Sequence, residues 1–497
     1  MTEFSLRATP LAPLVAALDE ARPLGDLDRI VLGIAHDSRA VRCGGAFVAL
    51  RGERADGHDY IEGAVAAGAR TIVVDRTYAA ANGPVAGATT VVVPDTRRAL
   101  SRLAAAFFAY PAASLRVIGI TGTNGKTTTT HMIERVLDAG GIATGRIGTL
   151  GASFGDARWP LDNTTPLSLE LQALLGAMRD RGARAVAMEV SSHALALDRV
   201  ADVAFAIAVL TNITRDHLDF HASFEEYAAV KRTLFDRAEQ AVLCADDTYG
   251  VRFAGELRAS GGTPITYGFS ADAGVRATNV RTGDGGADFA VDGRLFHVNM
   301  PGRFNIQNAL AALCVARAFG VDDAVSAAAL ASFAGVPGRM ESFASGGVRV
   351  FVDYAHTPGA LDAVLRTARE AAAREVAVVF GCGGDRDRGK RPEMGRIASE
   401  LADRVVLTSD NPRGEDPQAI VAEIRAGMRD GGLARVVVDV DRRAAIRCAV
   451  ADARVGDVVV VAGKGHEAYQ IARGATIHFD DRDEVRAALA AREIAVA

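Results

Sequence analysis

Short runs of β-branched and aliphatic residues alternate, over most of this chain, with stretches whose apolar positions recur every three or four residues. That alternation predicts strands joined by helices, an α/β architecture. In the first part, residues 30–34, 46–50, 71–75 and 91–93 read as short strands and 61–68 as a helix, a small α/β unit. Residues 115–120 have the length and composition of a buried strand, and 129–139 place Met132, Ile133, Val136 and Leu137 at helical spacing. Further strands are expected at 185–190, 203–210 and 241–245, and a helix at 224–237. From 265 to 300 polar and apolar residues alternate among frequent glycines, which predicts antiparallel hairpins added to a parallel core. One helix should then reach about 319 and a second start near 323. Beyond 338, apolar runs at 348–353, 376–380, 404–407, 436–440 and 458–461 alternate with helical patterns, as in a doubly wound sheet.

A chain of 497 residues exceeds what one core accommodates. The pattern breaks at Tyr110-Pro111-Ala112 and again near Pro337, which predicts three domains: 1–111, 112–337 and 338–497. A formal net charge of −5 gives no electrostatic reason to expect nucleic-acid binding, and no apolar run approaches membrane-spanning length. The first ten residues carry Glu3 and Arg7 and lack the apolar core of a signal peptide. Cys43, Cys244, Cys314, Cys382 and Cys448 are dispersed and odd in number, as expected of reduced thiols in a cytoplasmic protein.

The chemistry concentrates where strands end. Thr121-Gly122-Thr123-Asn124-Gly125-Lys126-Thr127-Thr128 lies between the strand at 115–120 and the helix at 129–139. Backbone N–H groups of such a turn converge on one spot, the helix N-terminus adds partial positive charge, and Lys126 adds a full one. The Thr127 hydroxyl suits Mg²⁺. The spacing departs from the usual phosphate loop, because only two residues separate Gly122 from Gly125. Glu189 ends the next strand, where it either completes a metal site or caps the following helix. The strand at 203–210 ends in Thr211-Asn212-Ile213-Thr214-Arg215-Asp216-His217. Lys231, four residues after Tyr227 on a helix, reads by itself as a solvated surface charge. Asp37-Ser38-Arg39 reads most simply as turn chemistry. In the last third, Asp353-Tyr354-Ala355-His356, residues 381–390, Asp410-Asn411-Pro412-Arg413 and Gly463-Lys464-Gly465-His466-Glu467 form a second set of polar strand ends. The charged run 385–391 is either a solvated loop or a ligand contact.

Taken together, these motifs resemble those of the Mur ligases, over the whole chain from Asp37 to the C-terminal strands. The resemblance implies a UDP-binding domain, a central ATPase and a Rossmann-like domain for the incoming amino acid. It implies ATP-dependent amide formation through an acyl phosphate, with Mg²⁺, in peptidoglycan precursor synthesis, by a monomer. On the matching positions it assigns Gly122, Thr123, Asn124, Gly125, Lys126, Thr127, Thr128, Asn308, Arg339 and Asp353 to ATP. Glu189 and His217 fall on metal-site positions, and Lys231 on the family's carbamylated lysine (N6-carboxylysine). Ser38, Asn163, Thr164, Thr165, Ser191, Arg199 and His356 fall on positions that hold the UDP-muramoyl-peptide. Arg386, Asp410, Asn411, Arg413, Gly463 and Glu467 fall around the added amino acid. Asp410-Asn411-Pro412-Arg413 resembles the branch that adds meso-diaminopimelate, because a guanidinium can grip the second carboxylate that lysine lacks. The rival readings are a lysine-adding or folylpolyglutamate synthetase-like ligase, and a nucleotide switch that hydrolyses ATP without ligating anything.

Overall fold

The computed structural model describes residues 8–52, 55–283, 285–429 and 434–496. They fall into two compact units, one formed by 1–121, 141–209 and 230–241 and the other by 122–140, 210–229 and 242–497.

The first unit holds a five-stranded sheet in the order Arg22–Leu24, Thr89–Val93, Thr71–Asp75, Ala46–Val48, Ile34–Ala35. All its pairings are parallel except that of Arg22–Leu24 with Thr89–Val93. Leu100, Leu103 and Phe107 of the helix Thr96–Phe107 pack into its core, and Asp95 caps that helix by accepting from the N–H groups of Arg97 and Arg98. Also in this unit, Arg116–Thr121 and Thr144–Gly148 flank Ala185–Glu189 in parallel register, with Glu189 opposite Ile120. The antiparallel strands Gly151–Phe154 and Ala157–Trp159 extend Thr144–Gly148. Burial of every residue in Ala185–Glu189 explains its unbroken apolar sequence up to the terminal carboxylate.

In the second unit the helix Lys126–Ala139 packs along Arg303–Ala318 and Asp323–Ala331. The expected hairpins are a three-stranded antiparallel sheet, Thr278–Gly283, Gly286–Val291 and Arg294–Val298. The last third is a six-stranded sheet ordered Glu341–Ser345, Val348–Asp353, Val458–Ala462, Val376–Phe380, Arg404–Leu407, Arg435–Val438. Its edge strand Glu341–Ser345 is antiparallel and the others run parallel, so their C-terminal ends share one edge. Helices cover both faces, with Leu361, Leu365, Ile397 and Ile424 on one and Ile446, Val450, Val485 and Leu489 on the other.

Some elements differ from expectation. The helix expected at 224–237 ends as Phe224–Arg232, and a 3-10 turn covers Phe235–Arg237. The helix Ser168–Asp180 is not anticipated by periodicity. Leu169, Leu171, Ala173, Leu174, Leu175 and Met178 are all buried, and apolar residues on most faces blur the period. The hairpin of Tyr469–Ala472 with Ala475–His478 is half-buried or exposed along its length, so it shows no alternation to read.

Candidate functional site

In the second unit the phosphate-type loop is held from one side by the segment 211–214. Thr211 Oγ1 and Asn212 Nδ2 donate to the Asn124 carbonyl at 2.6 and 3.1 Å, and the Thr123 N–H donates to the Asn212 carbonyl at 2.8 Å. The Thr214 N–H donates to Thr123 Oγ1 at 2.9 Å. This clasp explains both glycines. A Cβ on Gly122 (φ +145°) would stand 1.9 Å from Thr211 Oγ1, and one on Gly125 (φ +85°) 2.6 Å from Asn308 Oδ1. Asn308 is itself fixed, accepting from Thr129 Oγ1 at 3.1 Å and donating to Asn305 Oδ1 at 3.1 Å. Lys126 Nζ donates to the carbonyls of Gly122 and Thr123 at 2.9 and 2.8 Å, which folds its charge back over the loop. Thr128 is buried beneath. Arg339 Nη2 donates to Thr127 Oγ1 at 3.3 Å, and its guanidinium lies 4.3 Å from the Tyr354 ring centroid. Asp353, at the end of its strand, accepts from the N–H groups of Met340 at 2.7 Å and Ala355 at 2.8 Å. Burial nevertheless holds its carboxyl above the ordinary range.

Next to this loop the structure adds a residue that the motif reading left without a role. The Asp216 carboxylate lies 3.4 Å from His217 Nε2 and 4.0 Å from His356 Nε2. Burial opposes its charge, but His217, His356, Lys390 and Lys126 together hold the carboxyl below its ordinary value. Burial pushes the His356 imidazole down, so it is held toward the neutral form, with Nδ1 donating to the Tyr354 carbonyl at 2.8 Å. His217 takes a left-handed backbone (φ +54°), a conformation that costs a non-glycine residue and recurs at functional sites. Tyr227 shares a 3.0 Å hydrogen bond with Thr123 Oγ1. The one signal for Asp216 in the sequence is its place in a polar strand end.

A second cluster occupies the strand ends of the six-stranded sheet. Gly463 (φ +116°) leaves room for Asp410, whose Oδ2 would be 2.5 Å from a Cβ there, and Asp410 Oδ1 accepts from the Asn411 N–H at 2.7 Å. The hairpin at 469–478 is fastened to this segment. The Arg413 N–H donates to the Ile471 carbonyl at 3.0 Å, the Arg473 N–H to the Arg413 carbonyl at 2.8 Å, and Gln470 Nε2 to the Asp410 carbonyl at 2.8 Å. These bonds hold Arg413 in a left-handed backbone (φ +51°). Its Nη1 donates to the Gly384 carbonyl at 2.9 Å. A Cβ on Gly383 would stand 3.0 Å from Arg413 Nη1 and 3.8 Å from Arg386 Cγ, so both arginines border the same glycine. Within the run 385–391, Asp387 pairs with Arg215 at 3.2 Å and the buried Arg391 with Glu415 and Glu423, while Asp385, Arg386, Arg388 and Gly389 are exposed. Glu467 accepts from Asn411 Nδ2 at 2.9 Å and Tyr354 OH at 3.3 Å. Beneath both strand ends, the fully buried Arg442 donates to the carbonyls of Ser409 and Ala462 and pairs with the fully buried Asp481 at 2.7 Å.

In the first unit Glu189 is 1% exposed and does not cap a helix. The cap is Ser191, whose Oγ accepts from the Ala194 N–H at 3.1 Å. Glu189 Oε1 accepts from the Thr149 N–H at 2.9 Å and Oε2 from Thr149 Oγ1 at 3.1 Å. Thr165 Oγ1 bonds the Glu189 carbonyl at 2.9 Å, Thr164 Oγ1 bonds Thr149 Oγ1 at 3.1 Å, and Arg199 Nη1 donates to the Thr165 carbonyl at 2.9 Å. The Ser191 N–H donates to Thr165 Oγ1 at 3.0 Å, so one hydrogen-bonded patch joins Glu189, Thr164, Thr165, Ser191 and Arg199. Asn163 is exposed beside it, and Ser38 sits in the turn after Ile34–Ala35, where Asp37 accepts from the Arg39 N–H. Asp37 thus caps the turn that carries Ser38 and Arg39. Lys231 is 1% exposed, with Nζ 3.5 Å from Thr121 Oγ1, which overturns the surface-charge reading.

Residues 31–108 match the Mur ligase family catalytic domain, 120–316 the Mur ligase middle domain, and 338–465 the Mur ligase glutamate ligase domain. The chain is 42% identical to the UDP-N-acetylmuramoyl-L-alanyl-D-glutamate–2,6-diaminopimelate ligase of Syntrophomonas wolfei, over 92% of this chain and 94% of that one. It is 45% identical to the ligase of the same description from Gloeobacter violaceus, over 95% and 96% of the two chains. Among solved structures, one described as UDP-N-acetylmuramoyl-L-alanyl-D-glutamate–2,6-diaminopimelate ligase superposes with a TM-score of 0.68 at 33% identity, covering 98% of this chain and 100% of that one.

Proposed function

Because the chain belongs to the Mur ligase family, we propose that it is the ATP-dependent ligase that joins meso-diaminopimelate to the glutamyl carboxylate of UDP-N-acetylmuramoyl-L-alanyl-D-glutamate. This is a step of peptidoglycan precursor synthesis, carried out by a cytoplasmic monomer with domains 1–111, 112–337 and 338–497. The observation that carries the reading is Arg413, held at a strand end by the hairpin and bordering the same glycine as Arg386. Two guanidiniums suit an amino acid that brings a second carboxylate.

A free carboxylate is a poor acyl donor, so it must first take a phosphoryl group from ATP. The substrate amine then attacks the acyl phosphate, and the tetrahedral intermediate expels phosphate. The protein's task is to align the groups and balance developing charge. In this reading the loop 122–128 cradles the phosphates, Lys126 carries the charge against them, and Asn308, Arg339 and Asp353 seat the nucleotide. Thr164, Thr165, Ser191 and Arg199, with Ser38, Asn163 and His356, hold the muramoyl-peptide. Arg386, Asp410, Asn411, Arg413, Gly463 and Glu467 hold diaminopimelate.

No group of three or more His, Cys, Asp and Glu side chains among the described residues could hold a metal by itself. The Thr127 hydroxyl and the Glu189 carboxylate are oxygen donors of the kind Mg²⁺ takes beside waters and phosphate oxygens. Thr127, Glu189, His217 and an N-carboxylated Lys231 would hold it, and when bound it withdraws charge from the phosphate oxygens. The burial of Lys231 supports the modification, in which the amine adds to carbon dioxide with loss of a proton and the side chain becomes an anion. Lys231→Ala should lose activity and regain part of it with short carboxylates; an unaffected variant would overturn the assignment.

The decisive experiment is ligation with ATP, Mg²⁺ and UDP-N-acetylmuramoyl-L-alanyl-D-glutamate, read by product mass, with meso-diaminopimelate and L-lysine in separate reactions. A product with diaminopimelate alone is expected. A lysine product would overturn the specificity, and phosphate release without any amide would overturn the ligase reading.

A further inference from the structure

Lys464 has no role in the site as described so far, yet it is among the largest side chains of the protein with no exposed surface. Burying an ammonium is costly unless it is paired and hydrogen-bonded. Its Nζ donates to Asn411 Oδ1 at 3.1 Å and to Glu467 Oε2 at 3.3 Å, and it lies 5.4 Å from the Tyr469 ring centroid. The partners are thus two residues of the amino-acid site and an aromatic ring of the hairpin.

The bond to Asn411 has a consequence for orientation. Asn411 Oδ1 accepts from Lys464 Nζ and also from the Ile471 N–H at 3.0 Å. Neither group can accept a hydrogen bond, so the amide cannot be turned over without setting N–H against N–H. Its Nδ2 is therefore held toward Glu467 Oε2, at 2.9 Å. Glu467 receives donors on both oxygens, from Asn411 and Lys464 on Oε2 and from Tyr354 on Oε1. An amide donor beside an anchored carboxylate is complementary to the carboxylate and ammonium of an amino-acid end.

Resting on the proposed diaminopimelate site, we propose that Lys464 is a positioning residue of that site: its buried ammonium fixes the Asn411 amide and the Glu467 carboxylate in the one arrangement that recognises the amino-acid end. It acts through these two side chains and touches neither ATP nor the muramoyl substrate.

The test uses the full chain. The wild type must first give the diaminopimelate product; if it does not, the functional reading has failed and Lys464 is not at issue. With that product in hand, Lys464→Met should raise KM for diaminopimelate by about tenfold or more, the loss of one hydrogen bond to charge. KM for ATP and for the muramoyl substrate should change by no more than about twofold, since both hydrogen bonds of Lys464 go to residues of the amino-acid site. Lys464→Gln, which keeps a donor toward Asn411, should show a smaller rise. The double variant Lys464→Met with Asn411→Ala should be little worse than Asn411→Ala alone, because residues acting in series are not additive. An unchanged KM for diaminopimelate, equal rises in all three KM values, or additive losses would each overturn the proposal. If the methionine variant does not fold, the glutamine variant carries the same three readings.

Discussion

Two glycine-lysine turns at the ends of parallel strands look alike in the sequence and differ in the fold. At Gly125-Lys126 the lysine is half-buried and its Nζ lies on the carbonyls of its own loop. At Gly463-Lys464 the lysine is fully buried, and a carboxylate three residues later shares its charge. The first turn opens a helix of fourteen residues, whose N-terminus reinforces a positive site. The second leads into a hairpin and has no such helix behind it. The difference teaches that Gly-Lys at a strand end specifies a turn but not the use of the cation. A helix after the turn leaves the charge for a ligand; a carboxylate after it consumes the charge inside the protein.

The comparison breaks most sharply at Lys126. Lys126→Ala should lower kcat by about 10³-fold, the scale for removing a charge-stabilising donor. Steady-state kinetics with Lys464→Met alongside would show the loss confined to the first turn; similar kcat losses in both would erase the distinction. Below the second turn, Asp481→Asn leaves the Arg442 guanidinium buried without its counter-charge. The expected cost is about 3–5 kcal/mol, read from denaturant midpoints, and a neutral result would mean that the pair is replaceable. Arg413→Ala should raise KM for diaminopimelate by about 10²-fold, as paired charge-assisted bonds to a carboxylate are lost, and leave ATP kinetics intact. A large ATP defect would move Arg413 to the other turn.

A pH-dependent effect concerns His466, next in the chain after Gly465. Burial, with the Arg339 and Arg482 cations, lowers its imidazole from 6.5 to about 3. The folded protein therefore keeps it neutral where the unfolded chain takes up a proton. Stability from this group is full above pH 6.5 and declines as pH falls from 6.5 toward 3. His466→Asn should flatten the melting temperature over that window, and an unchanged slope would count against the assignment.

Much of this was legible in the sequence because strand-end chemistry is written locally. The loop 121–128 announces itself by a β-branched run, two glycines and a helical period, and the structure supplies the reason for each glycine in Thr211 and Asn308. The central strands Val376–Phe380 and Val458–Ala462 were readable because every residue in them is buried and their sequences are continuously apolar. What escaped depends on partners far apart in sequence. Lys231 by itself looks like any helix lysine, and before its burial is seen only the family resemblance marks it. Asp216 acquires meaning from His356, 140 positions later, and Lys464 from Asn411, 53 positions earlier. The hairpin at 469–478 escaped for a different reason: with no buried face, its strands carry no period to detect.

The pair beneath the second turn bears on the order in which the protein is made. Arg442 ties the carbonyls before Asp410 and before Gly463, yet its neutralising partner, Asp481, lies downstream of every residue in that site. Chains are synthesised from the N-terminus and tend to fold domain by domain as they emerge. The ribosome therefore delivers the phosphate loop and its clasp, 122–128 and 211–214, long before the carboxylate that lets the amino-acid site settle. A nascent chain halted between 467 and 481 would hold every side chain for diaminopimelate and still lack the carboxylate that neutralises the arginine tying their two strand ends together.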